Sequence, residues 1–427
     1  MMIFEKGSGN SEQLVTTGWN ILAEEVSLPI AVLSDKAIAN NAQWMQTFSE
    51  KSQVQLAPHG KTTMAPELFK LQLAQGCWGI TLATMPQVVN AYHQGIKRII
   101  LANQLVGRFH ALQLVELLRD TNFEFYCFVD SIENARWLGE FFNEYALENI
   151  SVNVLLEIGV NGGRCGWRDL DNIAPLVATL KAYSQLNIAG ISFYEGVIHG
   201  DQAYEKICEF IEGIKRLFSQ LTDQNAFSDR KPIITGAGSA WYDVVAKQLT
   251  LPLNSNSTEQ KSKGNELDFI PVIRPGCYLI HDTGIYQDAQ QNVMARSQLA
   301  CDLAGDLSSS LTVWAYVYSV PEPGLVIIGL GKRDCAFDAG LPTPELFYRP
   351  KQLEPSQTKP SKAPSHWQVV KIMDQHCMMK VGESDDIKPG DIISFSTSHP
   401  CLTIDKWRKI GIVDEAFNVT KQIATYF

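Results

Sequence analysis

The run Ile150–Ile158, ISVNVLLEI, shows the pattern on which the predicted fold depends. A short, mostly aliphatic run of this kind is typical of a parallel strand that is covered on both faces. Seven further runs with β character occur between Gln53 and Asp282, and segments that fit helices separate them. The eight predicted strands are Gln53–Pro58, Trp78–Thr84, Arg98–Asn103, Glu124–Asp130, Ser151–Ile158, Asn187–Tyr194, Pro232–Thr235 and Phe269–Arg274.

The alternation of eight strands with helices predicts an α/β fold, a closed (β/α)₈ TIM-type barrel. An open doubly wound sheet is the alternative. A further strand, Leu28–Asp35, and a helix through about Phe48 precede the barrel. After Asp282 the pattern changes to strands without intervening helices, which predicts a C-terminal β-rich domain. Its predicted strands are Leu311–Val320, Gly324–Gly329, Trp367–Met373, Asp391–Thr397 and Lys409–Val413.

We therefore divide the chain into three parts. Residues 1–35 form an N-terminal segment that contributes a strand to the β-rich domain. Residues 36–284 form the predicted barrel, and residues 285–427 form the predicted β-rich domain.

Composition limits the classes of function. The chain has 427 residues, 45% of them hydrophobic, and its formal net charge is −10. This acidic balance argues against a nucleic-acid partner or an anionic membrane and favours a small-molecule ligand. The N-terminus lacks a basic start followed by an apolar core, and the nine cysteines include no C-x-x-C pair. We therefore expect a cytoplasmic protein with reduced thiols.

A lysine follows the first predicted strand, within Ala57–Met64, APHGKTTM. Barrel active sites are built at the carboxyl ends of the strands, so Lys61 points toward the expected reaction centre. A lysine amine in a partly desolvated pocket can form a Schiff base with an aldehyde. Position alone also allows a surface lysine that begins a helix.

Two glycine-containing loops follow the last two barrel strands. They are Thr235–Ser239, TGAGS, and Arg274–Tyr278, RPGCY. Loops at these positions commonly bind phosphate in barrels, because their backbone N–H groups can converge on an anion. Each loop alone could be an ordinary turn. Combined with Lys61, they indicate a cofactor that carries both an aldehyde and a phosphate.

The segment Pro58–Thr62 resembles the Pro-His-x-Lys-Thr motif of the D-threonine aldolase and eukaryotic-type D-serine dehydratase family. Further similar segments are Glu157–Gly166, Tyr194–Gly196 and Arg274–Tyr278. The resemblance implies a pyridoxal-phosphate enzyme of fold type III, with an alanine-racemase-like barrel and an appended β domain, that works as a homodimer. The chain departs from the family pattern at Ala57, among other positions, which affects the substrate more than the cofactor.

The resemblance also implies roles for individual residues. Lys61 would hold the cofactor and act in catalysis, Tyr194 would act beside it, and Arg164 would lie near the cofactor ring. The remaining cofactor contacts, several of them through backbone N–H groups, would be His59, Thr235, Gly236, Gly238, Ser239, Gly276, Cys277 and Tyr278.

The segment Ser398–Cys401 places an imidazole and a thiol two residues apart. In an extended segment His399 and Cys401 would share a face, and imidazole with thiolate suits Zn²⁺ or another divalent metal. An ordinary histidine and a buried cysteine are the alternative. By resemblance, His-x-Cys at this place marks the dehydratase branch of the family, whereas the aldolase branch has His-x-Asp.

The sequence therefore predicts a pyridoxal-phosphate- and metal-dependent lyase, a D-amino-acid dehydratase or deaminase. It would convert a D-serine-like β-hydroxy D-amino acid to a keto acid and ammonia by β-elimination. A D-threonine-type aldolase that releases glycine and an aldehyde is the alternative. A third possibility is a non-catalytic protein that binds pyridoxal phosphate for cofactor homeostasis.

Overall fold

The computed structural model describes residues 6–9, 18–145, 150–228, 230–252, 267–353 and 355–427. Three elements precede the barrel: strands β1 (Trp19–Asn20) and β2 (Ile30–Ser34) and helix α1 (Asp35–Lys51). Helix α1 begins after Ser34, whose hydroxyl accepts the N–H of Ala37 at 3.3 Å. A serine at this position satisfies one of the free N–H groups of the first helical turn.

Eight parallel strands form the barrel. They are β3 (Gln55–Leu56), β4 (Ile80–Leu82), β5 (Arg98–Gln104), β6 (Glu124–Val129), β7 (Val152–Ile158), β8 (Leu186–Phe193), β9 (Ile233–Gly236) and β10 (Ile270–Ile273). The helices between them are α2 (Pro66–Ala74), α3 (Met85–His93), α4 (Arg108–Leu117), α5 (Ile132–Tyr145), α6 (Ala174–Lys181), α7 (Ala203–Asp223) and α8 (Tyr242–Thr250).

The strand order is β3-β10-β9-β8-β7-β6-β5-β4, and hydrogen bonds join the two ends. The N–H of Trp78 donates to the carbonyl of Leu56 at 2.7 Å, and that of Thr81 donates to the carbonyl of Pro58 at 2.9 Å. The sheet therefore closes, which confirms the predicted barrel against an open sheet. Each observed strand overlaps its predicted segment, and the observed and predicted limits differ by at most two residues.

Strand β6 shows how the barrel is packed. Phe125, Cys127 and Val129 belong to the core between the sheet and the helices. Tyr126 and Phe128 belong to a separate cluster inside the barrel. This alternation follows from the two-residue period of a strand, and it makes nearly every residue of the strand buried.

The C-terminal part begins with two helices and continues as strands. The helices are α9 (Ile285–Arg296) and α10 (Gln298–Cys301). The strands are β11 (Leu311–Glu322), β12 (Leu325–Ile328), β13 (Thr343–Tyr348), β14 (Ser361–Lys362), β15 (Gln368–Ile372), β16 (Cys377–Lys380), β17 (Ile392–Ser396), β18 (Lys409–Val413) and β19 (Asn418–Ala424), and helix α11 (Cys401–Ile404) lies between β17 and β18. All five predicted strands are present, whereas β13, β14, β16 and β19 were not predicted.

Strand β2 lies in the sheet of the β-rich domain. It pairs in parallel with β18 and antiparallel with β11, where Leu33 faces Leu311. Of the N-terminal segment 1–35, residues 1–5 and 10–17 lie outside the described residues. The limits 1–35, 36–284 and 285–427 stay a prediction. In the described part of the chain, no helix is long and apolar enough to cross a bilayer.

The β-rich domain packs on the mouth of the barrel. Helix α11 contacts the 3₁₀ turn Gly60–Thr62 that follows β3. Near the last residues, the N–H of Tyr426 donates to the carbonyl of Met64 at 2.9 Å. These contacts bring the ends of the barrel strands and the start of α11 to opposite sides of one cavity.

Candidate active site

A cavity of about 700 Å³ lies between the carboxyl ends of the barrel strands and the β-rich domain. The structure brings most of the predicted site residues to its lining. These are His59, Lys61, Arg164, Tyr194, Gly238, Ser239, Gly276, Cys277, His399 and Cys401. Thr235, Gly236 and Tyr278 lie outside the lining.

Lys61 lies on the 3₁₀ turn directly after β3. Its side chain is exposed to the cavity. Among the described residues, no carboxylate lies within ion-pair distance of its amine. The amine is therefore available to a ligand in the cavity.

His59 precedes this turn and forms a β-bridge with Thr81. Its Nδ1 atom is buried and has no hydrogen-bond partner within the described part of the chain. Burial, assisted by the nearby charge of Lys61, lowers the pKa of the His59 imidazole well below its ordinary value of 6.5. The ring is therefore neutral at physiological pH.

Arg164 and Tyr194 form a second pair on the cavity wall. The guanidinium carbon of Arg164 lies 4.9 Å from the centre of the Tyr194 ring, a cation–π contact. Tyr194 is half-buried, and its burial raises the pKa of the phenol above 10. The phenol therefore keeps its proton and can donate a hydrogen bond.

A buried arginine forms hydrogen bonds at the ends of the barrel strands, beside the cavity. Arg274 is 6% exposed, and it donates to Ser192 Oγ at 3.0 Å, to Thr235 Oγ1 at 3.1 Å and to the carbonyl of Phe193 at 2.9 Å. Thr235 therefore binds the buried Arg274 and does not face the cavity. Arg274 belongs to the Arg274–Tyr278 motif, but the sequence predicts no role for it.

Two backbone N–H groups converge at the start of the loop after β10. Those of Gly276 and Cys277 point at Ser239 Oγ, at 3.4 Å and 3.3 Å. A Cβ atom at Gly276 would lie 2.5 Å from the carbonyl oxygen of His59, so only glycine fits. This pair of donors, with the Ser239 hydroxyl, is the part of the predicted phosphate site that faces the cavity.

The other glycine loop is partly occupied by a carboxylate. Glu195 is completely buried; its two oxygens accept the N–H of Ala237 at 3.1 Å and that of Gly238 at 2.8 Å. The Gly238 N–H that was predicted to bind phosphate therefore already has an acceptor. Sequence reasoning missed the role of Glu195, and the only signal was its place in the Tyr194–Gly196 motif.

Gly236 and Tyr278 have packing roles in the structure. The carbonyl of Gly236 accepts the N–H of Arg274 at 3.0 Å, and a Cβ there would lie 2.3 Å from the Phe193 ring. Tyr278 is buried, and its hydroxyl accepts a hydrogen bond from Gln72 Nε2 at 2.9 Å.

His399 and Cys401 face the cavity from the β-rich domain. The expected extended segment is wrong in detail, because Pro400 has helical dihedral angles, φ −62° and ψ −40°, and Cys401 begins α11. The two side chains nevertheless interact through a hydrogen bond. In α11, Thr403 Oγ1 donates to the carbonyl of His399 at 3.0 Å.

Cys401 lies among side chains with which it forms hydrogen bonds. Its sulfur is 3.6 Å from the sulfur of Cys277 and 3.5 Å from Thr62 Oγ1. Its hydrogen bonds with Cys277, His399 and Thr62 lower the pKa of the Cys401 thiol to about 5. The hydrogen bond to Cys401, and a second one to Asp338 at 2.8 Å, raise the pKa of His399 to about 9. Both shifts favour the thiolate form of Cys401 and the imidazolium form of His399.

The donor set suits a metal with open coordination positions. Within the described ranges, no three His, Cys, Asp or Glu side chains converge on one point. His399 and Cys401 supply two ligands of the types that Zn²⁺ prefers, and Asp338 fixes the imidazole through Nδ1. Water or substrate would complete the coordination.

The chain is similar to known proteins over much of its length. The family described as "Putative serine dehydratase domain" matches residues 310–413. A D-threonine aldolase of Arthrobacter sp is 24% identical over 328 residues, 76% of this chain and 76% of the relative. A D-threo-3-hydroxyaspartate dehydratase of Delftia sp. (strain HT23) is 28% identical over 255 residues, 60% of this chain and 61% of the relative.

Solved structures share the fold across nearly the whole chain. D-threonine aldolase from Filomicrobium marinum superposes with a TM-score of 0.73 at 20% identity, covering 96% of this chain and 98% of that one. A cysteine-to-alanine mutant of D-threo-3-hydroxyaspartate dehydratase, in its metal-free form, gives 0.71 at 16% identity, covering 96% and 99%. An alanine-racemase-like protein from Idiomarina loihiensis gives 0.67 at 13% identity, covering 93% and 96%. The alanine-racemase-like architecture predicted for the barrel and β-rich domain is thereby confirmed.

Proposed function

Since the chain belongs to the family of D-threonine aldolases and D-serine dehydratases, we propose that it is a pyridoxal-phosphate-dependent lyase that acts on a β-hydroxy D-amino acid. One observation carries the proposal. The amine of Lys61, the N–H pair of Gly276 and Cys277, and the side chains of His399 and Cys401 line the same cavity. A cofactor and a substrate bound there would meet all of these groups.

The residues present fit the cofactor. Lys61 would hold it covalently, and Ser239 with the N–H groups of Gly276 and Cys277 would hold its phosphate. Arg164 and Tyr194 would lie beside its ring. When bound, pyridoxal phosphate supplies an electron sink for negative charge at the substrate Cα.

The barrel residues would then act on the substrate as follows. The amine of Lys61 would remove the proton from Cα. Tyr194, whose phenol keeps its proton, would donate a hydrogen bond in the cavity. Arg274 and Glu195 are both buried. Their hydrogen bonds to Thr235 and Gly238 would hold the glycine-containing loops in position.

His399 and Cys401 would bind a divalent metal, for which we propose Zn²⁺. A metal there supplies Lewis acidity toward the substrate's β-hydroxyl group and so makes loss of hydroxide from Cβ easier. Asp338 would keep the His399 ring oriented by accepting from Nδ1. Elimination of the hydroxyl group gives an enamine, which water converts to a keto acid and ammonia.

A D-threonine-type aldolase is the second candidate, because the aldolase from Arthrobacter sp matches a longer stretch than the dehydratase does. The thiolate of Cys401 favours the dehydratase, since the aldolase branch has a carboxylate at this place by resemblance. The two reactions differ in the bond that breaks, Cβ–O or Cα–Cβ.

Product analysis separates the candidates. The purified protein, supplied with pyridoxal phosphate and Zn²⁺, would be incubated with D-serine, D-threonine and D-threo-3-hydroxyaspartate in turn. We expect ammonia and a keto acid in equal amounts without glycine. Glycine and an aldehyde without ammonia would establish the aldolase. Cofactor binding with neither set of products would favour the non-catalytic, cofactor-homeostasis function.

The L-amino acids are the matched control for the proposed stereochemistry, and turnover of L-serine would contradict it. We also propose that the protein works as a homodimer. Light scattering of the holoenzyme that gives the mass of a single 47.6 kDa chain would contradict the dimer.

A further inference from the structure

Two thiols from different parts of the fold meet in the cavity. Cys277 follows β10 of the barrel, whereas Cys401 begins α11 of the β-rich domain. Their sulfur atoms are 3.6 Å apart, although 124 positions separate them in the chain. Both are free thiols, and both line the cavity. Packing of the β-rich domain on the barrel is therefore what brings them together.

The pair is close enough to be joined after a small movement. A disulfide bond is about 2.05 Å long, so the sulfurs need to approach each other by about 1.5 Å. Cys401 is half-buried at the first residue of a four-residue helix, whereas Cys277 is 4% exposed within the barrel loop. A rotation of the Cys401 side chain toward a fixed Cys277 is the movement that this arrangement favours.

The surroundings also direct an oxidant to Cys401 first. It is the more accessible of the two sulfurs, and the cavity leads to it. Cys277 lies behind it as a thiol within contact distance, the position of a resolving cysteine. By contrast, Cys335 and Cys377 are both completely buried, so a dissolved oxidant does not reach them.

We propose that Cys277 and Cys401 are a peroxide-sensitive pair that forms a reversible disulfide between the barrel and the β-rich domain. The sulfur of Cys401 attacks one oxygen of hydrogen peroxide, the O–O bond breaks, and Cys401 becomes a sulfenic acid while one water leaves. The sulfur of Cys277 then attacks the Cys401 sulfur, the S–O bond breaks, and a second water leaves. Two electrons pass from the sulfurs to one peroxide, which becomes two waters.

The disulfide would change the site in two ways. It would tie α11 to the loop that carries the N–H groups of Gly276 and Cys277. It would also remove the thiolate from the pair with His399, so that metal binding and the disulfide exclude each other. This second consequence depends on the proposed metal site, whereas the formation of the bond does not.

The test uses the full-length protein without substrate or cofactor, treated with EDTA and then with a small excess of hydrogen peroxide. When the protein is unfolded in denaturant before alkylation, we expect the number of alkylatable thiols to fall from nine to seven. Mass spectrometry of the tryptic digest should show the peptide of Cys277 linked to that of Cys401. Dithiothreitol should restore all nine thiols, and circular dichroism before and after should show that the protein stays folded.

Variants make the assignment specific. Cys277→Ser and Cys401→Ser should each abolish the linked peptide, whereas Cys301→Ser, which removes an exposed thiol away from the cavity, should leave it unchanged. Zn²⁺ added before peroxide should slow the linkage at least several-fold. A wild-type protein that keeps Cys277 as a free thiol while Cys401 is oxidised to sulfinic acid would overturn the proposal, as would linkage to any other cysteine. Since no turnover is measured, these outcomes are independent of which reaction the enzyme performs.

Discussion

The two walls of the cavity are built differently. The barrel wall presents backbone N–H groups on loops that buried side chains support, among them Arg274 and Glu195. The wall of the β-rich domain presents two side chains, His399 and Cys401, on one short segment. The fold fixes the first wall, whereas a single substitution can change the chemistry of the second. We infer that the barrel wall determines which cofactor binds and the other wall determines which bond of the substrate breaks.

The largest effect should come from the barrel wall. Lys61→Ala removes the only predicted covalent link to the cofactor and the base for Cα, so turnover should fall by about 10⁴-fold or more. The measurement is turnover with saturating pyridoxal phosphate, together with mass spectrometry after borohydride reduction. Lys70→Ala, an exposed lysine on α2, is the control and should keep both turnover and the label. A cofactor adduct on another lysine would contradict the assignment.

A substitution in the wall of the β-rich domain should lower turnover without loss of the cofactor. Cys401→Ala should lower turnover about 10²–10³-fold, because metal assistance to the leaving hydroxide is lost. The cofactor should still be attached to Lys61, as borohydride labelling would show, and bound zinc measured by atomic absorption should fall. If Cys401→Ala lost the cofactor label while keeping its fold, the two walls would not have separate roles.

The difference between the walls also explains what could be predicted from the sequence. The barrel strands were predictable because a parallel strand covered on both faces is a nearly continuous apolar run, as in Ile150–Ile158. The positions of Lys61 and Cys401 followed from motifs. Strand β13, Thr343–Tyr348, was not predicted, and most of its residues are only partly buried, so its apolar pattern is weak.

Contacts between distant segments were beyond the reach of sequence patterns. The hydrogen bonds of Glu195 to the loop at Ala237 and Gly238 depend on how adjacent barrel strands are aligned. The approach of Cys277 to Cys401 depends on how the β-rich domain sits on the barrel. Both come from tertiary packing, on which local periodicity carries no information.

The pH dependence of zinc affinity tests whether His399 and Cys401, in the wall of the β-rich domain, bind the metal. Without metal, the His399 imidazolium has a pKa of about 9 and the Cys401 thiol a pKa of about 5. Between these values zinc must displace one proton from His399, so affinity should rise about tenfold per pH unit, or about 100-fold from pH 6 to pH 8. Zinc titrations against a competing chelator at pH 6, 7 and 8 measure the slope.

Asp338→Asn is the matched variant for that experiment. The asparagine amide carries no charge, so His399 loses a negative partner and the pKa of its imidazolium falls. The rise of zinc affinity with pH should therefore be shallower near pH 8. A wild-type affinity that does not change between pH 6 and pH 8 would mean that His399 is already neutral there. His59, on the barrel wall, has a lowered pKa and should contribute no such dependence.

The smallest effect should come from Glu195, a buried residue that accepts hydrogen bonds from a loop of the barrel wall. In Glu195→Gln, the amide NH₂ group would replace one of the two oxygens that accept the N–H groups of Ala237 and Gly238. One of these buried donors would lose its acceptor, at a cost of about 1–3 kcal/mol in the free energy of unfolding. We expect a lower melting temperature and about tenfold weaker affinity for pyridoxal phosphate, because part of the cost falls on the loop of Ser239, which we propose binds the phosphate.

Glu209→Gln, an exposed glutamate on α7, is the control for this substitution and should change neither quantity. Cofactor titrations followed by absorbance, and thermal unfolding without cofactor, would give both numbers for each variant. Because Glu195 does not line the cavity, a loss of turnover at saturating cofactor and substrate is not expected from its support role. If turnover fell while cofactor affinity and stability stayed at wild-type values, Glu195 would act on the reaction itself, and the barrel wall would carry more than cofactor binding.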